Sequence, residues 1–203
     1  MKIHYLAHAS FLIISDNGTR IITDPYQAGR GFNYKPVTET ADVVTISHEH
    51  GDHNHAETVT GTPVIVKDSD TVQGITFTAV KTAHDQEGGS QRGANTVFIM
   101  DIDGMKVVHL GDLGHPVTAA DMPVLEGVDV MLVPVGGHFT LDAAGARAVV
   151  EEFSPRVVVP MHFKTGKCGF PIAPVDEFTL PPGLDAIHAR LEVGLGVEEH
   201  RVR

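Results

Sequence analysis

Short apolar runs of strand length dominate the hydrophobic pattern of this chain. Runs at residues 2–7, 10–15 and 20–23 predict an antiparallel meander, and Asp16-Asn17-Gly18 between the second and third is a strong hairpin turn signal. The other predicted strands are residues 43–46, 63–67, 74–82, 95–101, 105–110, 130–135, 156–160 and 187–193. The pattern therefore predicts a protein built mainly from strands.

Helical periodicity is rarer. Residues 118–125 start with a capping-box pattern and predict a short helix. Residues 142–153 place their apolar side chains on one face and predict a longer helix, which Ser154-Pro155 ends. A third short helix is predicted from residue 173. Strands with interspersed helices predict an α/β (α+β) fold of two stacked sheets flanked by helices, in a single domain spanning residues 1–203.

Composition and charge reduce the number of functional classes to which the protein can belong. A formal net charge of −11 argues against a general electrostatic grip on nucleic acid or on an anionic membrane. No apolar run approaches the roughly 18–20 residues that span a bilayer, and the N-terminus has no signal-peptide pattern, so a cytoplasmic protein is expected. The sequence leaves open whether the protein forms a homo-oligomer. The lone Cys168 excludes an intramolecular disulfide, and we interpret it as a packing residue.

The highest density of potential metal ligands is in residues 47–53, whose sequence is Ser-His-Glu-His-Gly-Asp-His. This segment follows the predicted strand 43–46, and alternate residues of an extended chain point to one side. His48 and His50 can therefore bind one ion, and Asp52 and His53, beyond the turn, can face a second. Imidazole nitrogen and carboxylate oxygen are ligands that zinc and similar divalent metals prefer.

Three further candidate ligands follow apolar strands elsewhere in the chain. His84 comes after the strand 74–82, Asp112 after the strand 105–110, and His162 after the strand 156–160. Presenting ligands at strand ends is how a rigid scaffold builds a site at one rim. Together with residues 48–53 they predict a metal centre.

With these residues, the chain resembles the metallo-β-lactamase superfamily of metal-dependent hydrolases. The match lies in residues 23–25, 48–53, 84, 111–112 and 161–162. More narrowly, it resembles the branch that includes L-ascorbate-6-phosphate lactonase, in residues 7–13, 92–98, 109–115, 134–137 and 160–162. The resemblance implies a four-layer αββα sandwich with two metal ions at one edge of the sheets.

The resemblance also implies a distribution of ligands. The first ion would take His48, His50 and His84, the second Asp52, His53 and His162, and Asp112 would bridge both. Zinc suits these ligands, and manganese or iron can occupy similar sites. The implied catalyst is a metal-bound hydroxide, for which Asp52 and Asp112 are the catalytic carboxylates and Asp52 exchanges a proton.

Several other polar residues have two readings. Asp24 either orients a ligand imidazole or closes an Asp-Pro turn. His8, His115 and His138 either face the pocket or are ordinary core and rim histidines. Arg92 and Lys164, which follow the ligands His84 and His162 in the chain, either clamp a phosphate or carboxylate of the substrate or are surface cations.

Competing activities within the superfamily fit less well. Asp112 is present where β-lactamases usually lack an aspartate, and His50 stands where di-iron oxygen reductases have glutamate. The leading hypothesis is a hydrolase of a small anionic lactone or ester. A phosphodiesterase and a metal-bound binding module without turnover are the alternatives.

Overall fold

Two six-stranded sheets form the frame of the computed structural model, which describes residues 1–29, 31–179 and 200–201. The first sheet contains β1 (Lys2–Ala7), β2 (Ser10–Ile14), β3 (Arg20–Thr23), β4 (Val43–Thr45), β5 (Val64–Val66) and β12 (His200–Arg201). The second contains β6 (Asp70–Val72), β7 (Ile75–Ala83), β8 (Ala94–Ile102), β9 (Met105–His109), β10 (Val130–Pro134) and β11 (Val157–Met161). The two predicted sheets are therefore present.

Both sheets repeat one topology. The spatial orders are β12-β1-β2-β3-β4-β5 and β6-β7-β8-β9-β10-β11. In each order the first three pairings are antiparallel and the last two are parallel. The predicted meander β1-β2-β3 is confirmed, with Phe11 opposite both Tyr5 and Thr23.

Helix α1 (Ala143–Phe153) confirms the stronger helix prediction. The Asp142 carboxylate caps it by accepting a hydrogen bond from the Gly145 amide at 2.8 Å. Its apolar face contains Ala146, Val149, Val150 and Phe153. These side chains share a buried cluster with Ile99, Val108 and Val133 of the second sheet, so α1 covers the outer face of that sheet.

The other two helix predictions were confirmed only as single 3-10 turns. Residues 118–122 form a turn, and only Pro123–Leu125 is helical, as a single 3-10 turn. The Thr118 hydroxyl donates to the Asp121 carboxylate at 2.7 Å, so the capping pair closes a local turn and no α-helix follows. Within residues 173–179 the helical segment is likewise a single 3-10 turn, Val175–Glu177.

The remaining differences concern strands. The short strand β6 was not anticipated from the sequence. The predicted strand 187–193 lies outside the described residues. Within the described ranges, no helix is long and apolar enough to cross a membrane.

The main core lies between the two sheets. Phe11, Ile13 and Ile21 of the first sheet share a buried cluster with Phe98 and other side chains of the second. The outer face of the first sheet is covered differently, by aromatic side chains of an extended loop: Tyr26, Phe32 and Tyr34. Stacking of the sheets brings strand ends from both to one rim.

Candidate metal centre

Each predicted ligand follows a strand that ends at this rim. His48 and His50 lie just beyond β4, and Asp52 and His53 lie in the turn that follows. His84 follows β7 directly, Asp112 follows β9, and His162 follows β11 directly. Residues from both sheets thus meet, as the spacing along the chain predicted.

The Asp112 carboxylate lies at the centre of the cluster and is 1% exposed. Its Oδ2 atom is 3.1 Å from His84 Nε2, 3.2 Å from His53 Nε2 and 3.3 Å from His162 Nε2. His48 Nε2 is 3.9 Å away. One carboxylate oxygen therefore faces imidazole nitrogens from four separate positions in the chain.

Most of the candidate ligand atoms form two separate groups. His48, His50 and His84 form one, and His8, Asp52, His53 and His162 form the other, with the ligand atoms of each within 4.8 Å of one another. A third, overlapping group contains Asp24, His48 and His53. Two differences from the ligand set that the resemblance implied are that His8 and Asp24 are included and that Asp112 belongs to none of these groups.

The donor chemistry fits bound cations. Two ligand atoms that each lie about 2.1 Å from a tetrahedral ion are about 3.4 Å apart, close to the spacings around Asp112 Oδ2. Moreover, His48 Nε2, His53 Nε2 and Asp112 Oδ1 are buried and have no hydrogen-bond partner among the described residues. Buried polar atoms without partners are costly, and divalent cations would satisfy all three.

Asp24 orients two of the imidazoles. Its Oδ2 is 2.9 Å from His53 Nδ1, and it accepts a second hydrogen bond from the Ser47 hydroxyl at 2.5 Å. Ser47 Oγ in turn lies 2.9 Å from His48 Nδ1. Because a carboxylate only accepts, His53 carries a proton on Nδ1. The Ser47 hydroxyl donates to Asp24 and therefore accepts from His48 Nδ1, so a metal ion could bind Nε2 of both imidazoles. Asp24 thus makes the contact expected of a residue that orients a ligand imidazole.

The third imidazole is oriented by the main chain. His84 Nδ1 lies 3.2 Å from the Phe139 carbonyl oxygen, which can only accept, so the proton is again on Nδ1. Nε2 of His84 is then free to face Asp112.

His8 occupies the turn between β1 and β2 and is completely buried. Its Nε2 lies 3.3 Å from Asp52 Oδ2, and its ring lies 4.0 Å from the ring of His162. The His8 carbonyl also accepts the His162 amide at 2.9 Å. Both interpretations of His8 therefore apply in part, since it is a buried core histidine and also contacts two predicted ligands.

Three residues of the centre have strained backbone conformations. His8, Asp24 and His162 have φ angles of 56°, 39° and 52°, in the left-handed region that residues other than glycine rarely adopt. Such conformations persist only where the surrounding structure holds them, and they cluster at functional sites.

The electrostatics show that the centre favours positive charge. Burial would raise the pKa of Asp112, but the charges of His162 and His53 hold it well below its usual range. Burial would lower the pKa of His53, yet the charges of Asp112 and Asp52 raise it well above its usual value. In contrast, burial and then the charge of His53 lower the pKa of His48 to about 3, so this imidazole is neutral and ready to bind a cation.

Two glycines let the Asp112 loop approach the other ligands. A Cβ on Gly111 would lie 2.3 Å from Asn95 Oδ1, the atom that accepts the Asp112 amide at 2.8 Å. A Cβ on Gly114 would lie 2.4 Å from the carbonyl carbon of His84. Neither position has room for a side chain, so this loop packs directly against the end of β7.

The remaining predicted residues lie at the rim. Arg92 is half-buried, with its guanidinium carbon 5.4 Å from the Phe139 ring centroid. Lys164 Nζ donates to the Phe170 carbonyl at 2.6 Å. His115 is half-buried and His138 exposed, and both lie outside the three groups of candidate ligand atoms in the described chain.

Sequence reasoning missed two features. Phe139 and Phe170 lie beside the centre, but no local pattern links them to it. The Asp85 carboxylate organises the loop after His84, because it accepts backbone amides of Glu87, Gly89, Gln91 and Arg92 at 2.7–2.9 Å. An aspartate that precedes a Gly-rich segment is the signal that could have indicated this turn.

Comparisons with known proteins agree with this geometry. Residues 2–162 match the family described as "Beta-lactamase superfamily domain". A UPF0173 metal-dependent hydrolase of Thermococcus kodakarensis is 31% identical over 193 residues, covering 81% of this chain and 85% of the relative. Another from Thermococcus onnurineus is 30% identical over 196 residues, with the same coverage.

A solved structure extends the similarity to three dimensions. A Thermotoga maritima protein, whose name proposes a zinc-dependent hydrolase of the metallo-β-lactamase superfamily, matches with a TM-score of 0.72 and 37% identity. The match covers 87% of this chain and 83% of that one. The predicted fold, an αββα sandwich of α+β class, is therefore confirmed, although α1 is the only α-helix among the described residues.

Proposed function

Because the chain belongs to the metallo-β-lactamase superfamily of metal-dependent hydrolases, we propose that it uses two divalent cations to hydrolyse a small anionic lactone or ester. The observation that carries the proposal is Asp112 Oδ2, which faces His53, His84 and His162 within 3.3 Å. Zinc is the expected ion, since most of the donors are imidazoles.

Two of the groups of candidate ligand atoms support a division of the residues between two ions. In this proposal His48, His50 and His84 would hold one ion, and Asp52, His53 and His162 would hold the other. Asp112, which faces histidines of both groups, would contribute to both sites. When bound, a pair of divalent cations would supply a hydroxide at neutral pH and would polarise the bond that is cleaved. Asp24 keeps the ligand imidazoles in the required tautomer through His53 and Ser47.

The chain's own groups account for the remaining steps. The Asp52 side chain is 21% exposed, more than that of Asp112, so it can exchange a proton with the leaving oxygen at the open edge. Two divalent cations outweigh the two carboxylates and leave the centre positive, which favours an anionic substrate. The resemblance to the L-ascorbate-6-phosphate lactonase branch supports a lactone as the substrate.

The first experiment measures metal content and hydrolysis together. The purified protein is loaded with zinc, its ions are counted by elemental analysis, and it is assayed on a lactone panel and on bis(p-nitrophenyl) phosphate. We expect two ions per chain and turnover of lactones that a chelator abolishes. Turnover of the phosphodiester alone would replace the proposal with a phosphodiesterase, and turnover of neither at full loading would favour a binding module.

Matched histidine variants test the ligand assignment. His50→Ala is expected to lose one ion and more than about 100-fold in rate, because even outer partners of ligands cost about 10–100-fold. His55→Ala is the control, since His55 contacts Glu57 and lies outside the candidate ligand groups in the described chain. A His50→Ala variant that keeps two ions and full rate would refute the assignment.

A further inference from the structure

Two half-buried aromatic rings lie beside the metal centre without belonging to it. The Phe139 and Phe170 ring centroids are 5.8 Å apart and meet edge to face. Phe170 also packs at 4.7 Å against Phe32, which is buried. The rings thus form the accessible end of an aromatic cluster, which we call the aromatic wall (Phe139 and Phe170).

The aromatic wall is held at a fixed distance from both groups of candidate ligands. The main chain of Phe139 accepts the hydrogen bond of His84 at 3.2 Å. The Phe170 ring is 6.0 Å from the ring of His8, which contacts Asp52. A substrate whose reacting bond lies between the ions would therefore have this wall along one side.

Arg92 adds a cation at the end of the wall. Its guanidinium stacks on Phe139 at 5.4 Å, a contact that orients an arginine without using its hydrogen-bond donors. Its main-chain amide is fixed by the Asp85 carboxylate at 2.7 Å. Among the described residues the guanidinium makes no hydrogen bond or salt bridge, so its donors are available for a planar anion.

Lys164 is a weaker candidate for the same role. Its ammonium group donates to the Phe170 carbonyl at 2.6 Å and is half-buried there. It supports the position of Phe170, whereas Arg92 is the cation with donors to offer.

From this arrangement we propose that the substrate carries two features. One is an apolar ring or branched alkyl group, which Phe139 and Phe170 recognise, and the other is a carboxylate or phosphate, which Arg92 recognises. The inference rests on the proposed function and narrows its substrate class. Binding sites for small molecules commonly combine an apolar wall with a few placed polar groups.

Four lactones separate the contribution of the aromatic wall from that of Arg92. γ-Butyrolactone has neither feature, paraconate (5-oxotetrahydrofuran-3-carboxylate) has the carboxylate, γ-phenyl-γ-butyrolactone has the ring, and γ-phenylparaconate has both. For the zinc-loaded protein we expect kcat/KM to rise by about tenfold with each feature, the range typical of a group entering a matching pocket.

Variants should separate the two preferences. Phe139→Ala is expected to bring the phenyl preference close to one and to weaken the carboxylate preference as well, because Arg92 stacks on Phe139. Arg92→Gln should remove the carboxylate preference while the phenyl preference remains. Phe139→Leu, which keeps an apolar side chain, guards against misfolding of the alanine variant. Arg156→Gln is the control, because Arg156 is an exposed arginine bound to Asp129 and should keep both preferences.

A binding measurement separates this inference from the proposed function. Calorimetric titration of the zinc-loaded protein with benzylphosphonate and methylphosphonate compares two anions that differ only in the phenyl group. Tighter binding of benzylphosphonate, lost in Phe139→Ala, supports the aromatic wall even if no lactone is hydrolysed. Hydrolysis with no phenyl preference, or equal affinity for the two phosphonates, would overturn the inference and leave the metal-dependent hydrolase in place.

Discussion

His8 connects the fold to the metal centre through a single side chain. Its ring is completely buried, yet its Nε2 atom contacts Asp52 and its face packs on His162. Burial, and then the charge of His162, lower its pKa to about 3, so it is a neutral imidazole at physiological pH. A neutral His8 can donate one hydrogen bond and hold the Asp52 carboxylate in place.

We therefore predict that His8→Ala weakens metal binding by about 10–100-fold, the usual effect of removing a partner of a ligand. Titration with zinc against a competing chelator would measure it, and His8→Gln should recover part of the loss because an amide can also donate to Asp52. The control is His115→Ala, outside the ligand groups of the described chain. Equal zinc affinity of His8→Ala and the unchanged protein would contradict the prediction.

Cys168 is the one cysteine of the chain. It is buried, and its main chain bridges to Phe32, beneath the aromatic wall. Burial raises the pKa of its thiol, so the nucleophilic thiolate is disfavoured. The packing role expected from the sequence agrees with this position.

At the scale of elements, loops rather than strands determine the precision of the site. The segment from Leu110 to Gly114 leaves β9 and must approach both β7 and the Ser47 turn. Asn95 of β8 clamps it by accepting the Asp112 amide and donating to the Leu110 carbonyl at 2.9 Å. Direct contact between backbones therefore sets the distance from Asp112 to His84.

A methyl group at Gly114 should disturb this contact. We expect Gly114→Ala to lower the free energy of unfolding by about 1–3 kcal/mol, as overpacking does, and to reduce zinc occupancy as well. Thermal denaturation and elemental analysis would measure both effects.

Gly166→Ala provides the matched control for this prediction. A Cβ on Gly166 would meet nothing within 4 Å, so this substitution should change stability by less than about 0.5 kcal/mol. Similar stability and zinc content for the two variants would show that the close approach at Gly114 has no consequence.

At the scale of the molecule, the centre joins the two sheets. His48 and His53 follow a strand of the first sheet, whereas His84, Asp112 and His162 follow strands of the second. Cations bound between them would cross-link the layers, because unfolding separates the ligands. Without cations, the buried atoms that have no hydrogen-bond partner among the described residues, such as His48 Nε2 and Asp112 Oδ1, keep an uncompensated desolvation cost.

Removal of metal should therefore destabilise the whole protein. We predict that chelator-treated protein melts at a lower temperature, and that zinc at 100 times its dissociation constant restores about 2.7 kcal/mol at a single site. Magnesium, which prefers oxygen ligands, serves as the control ion and should restore less. The same melting temperature with and without zinc would argue against structural coupling.

The amino-acid sequence by itself determined the elements and the chemistry of the rim. The meander β1-β2-β3 and helix α1 were predictable because turn residues and helix caps act over a few neighbouring positions. The segment 48–53 indicated metal ligands because their types and spacing are local properties. At residues 118–125 the helix prediction was confirmed only in part, because a side-chain contact within the segment closed a turn instead of starting an α-helix.

The tertiary structure alone decided which distant side chains meet. It packed His8 against Asp52 and His162, and it placed Phe139 and Phe170 beside the centre, although neither residue belongs to a motif. These contacts depend on how two sheets stack and how closely loops approach, and both depend on packing across the whole core. Local patterns carry the identity of the ligands, whereas the partners of those ligands follow from the stacking of the sheets.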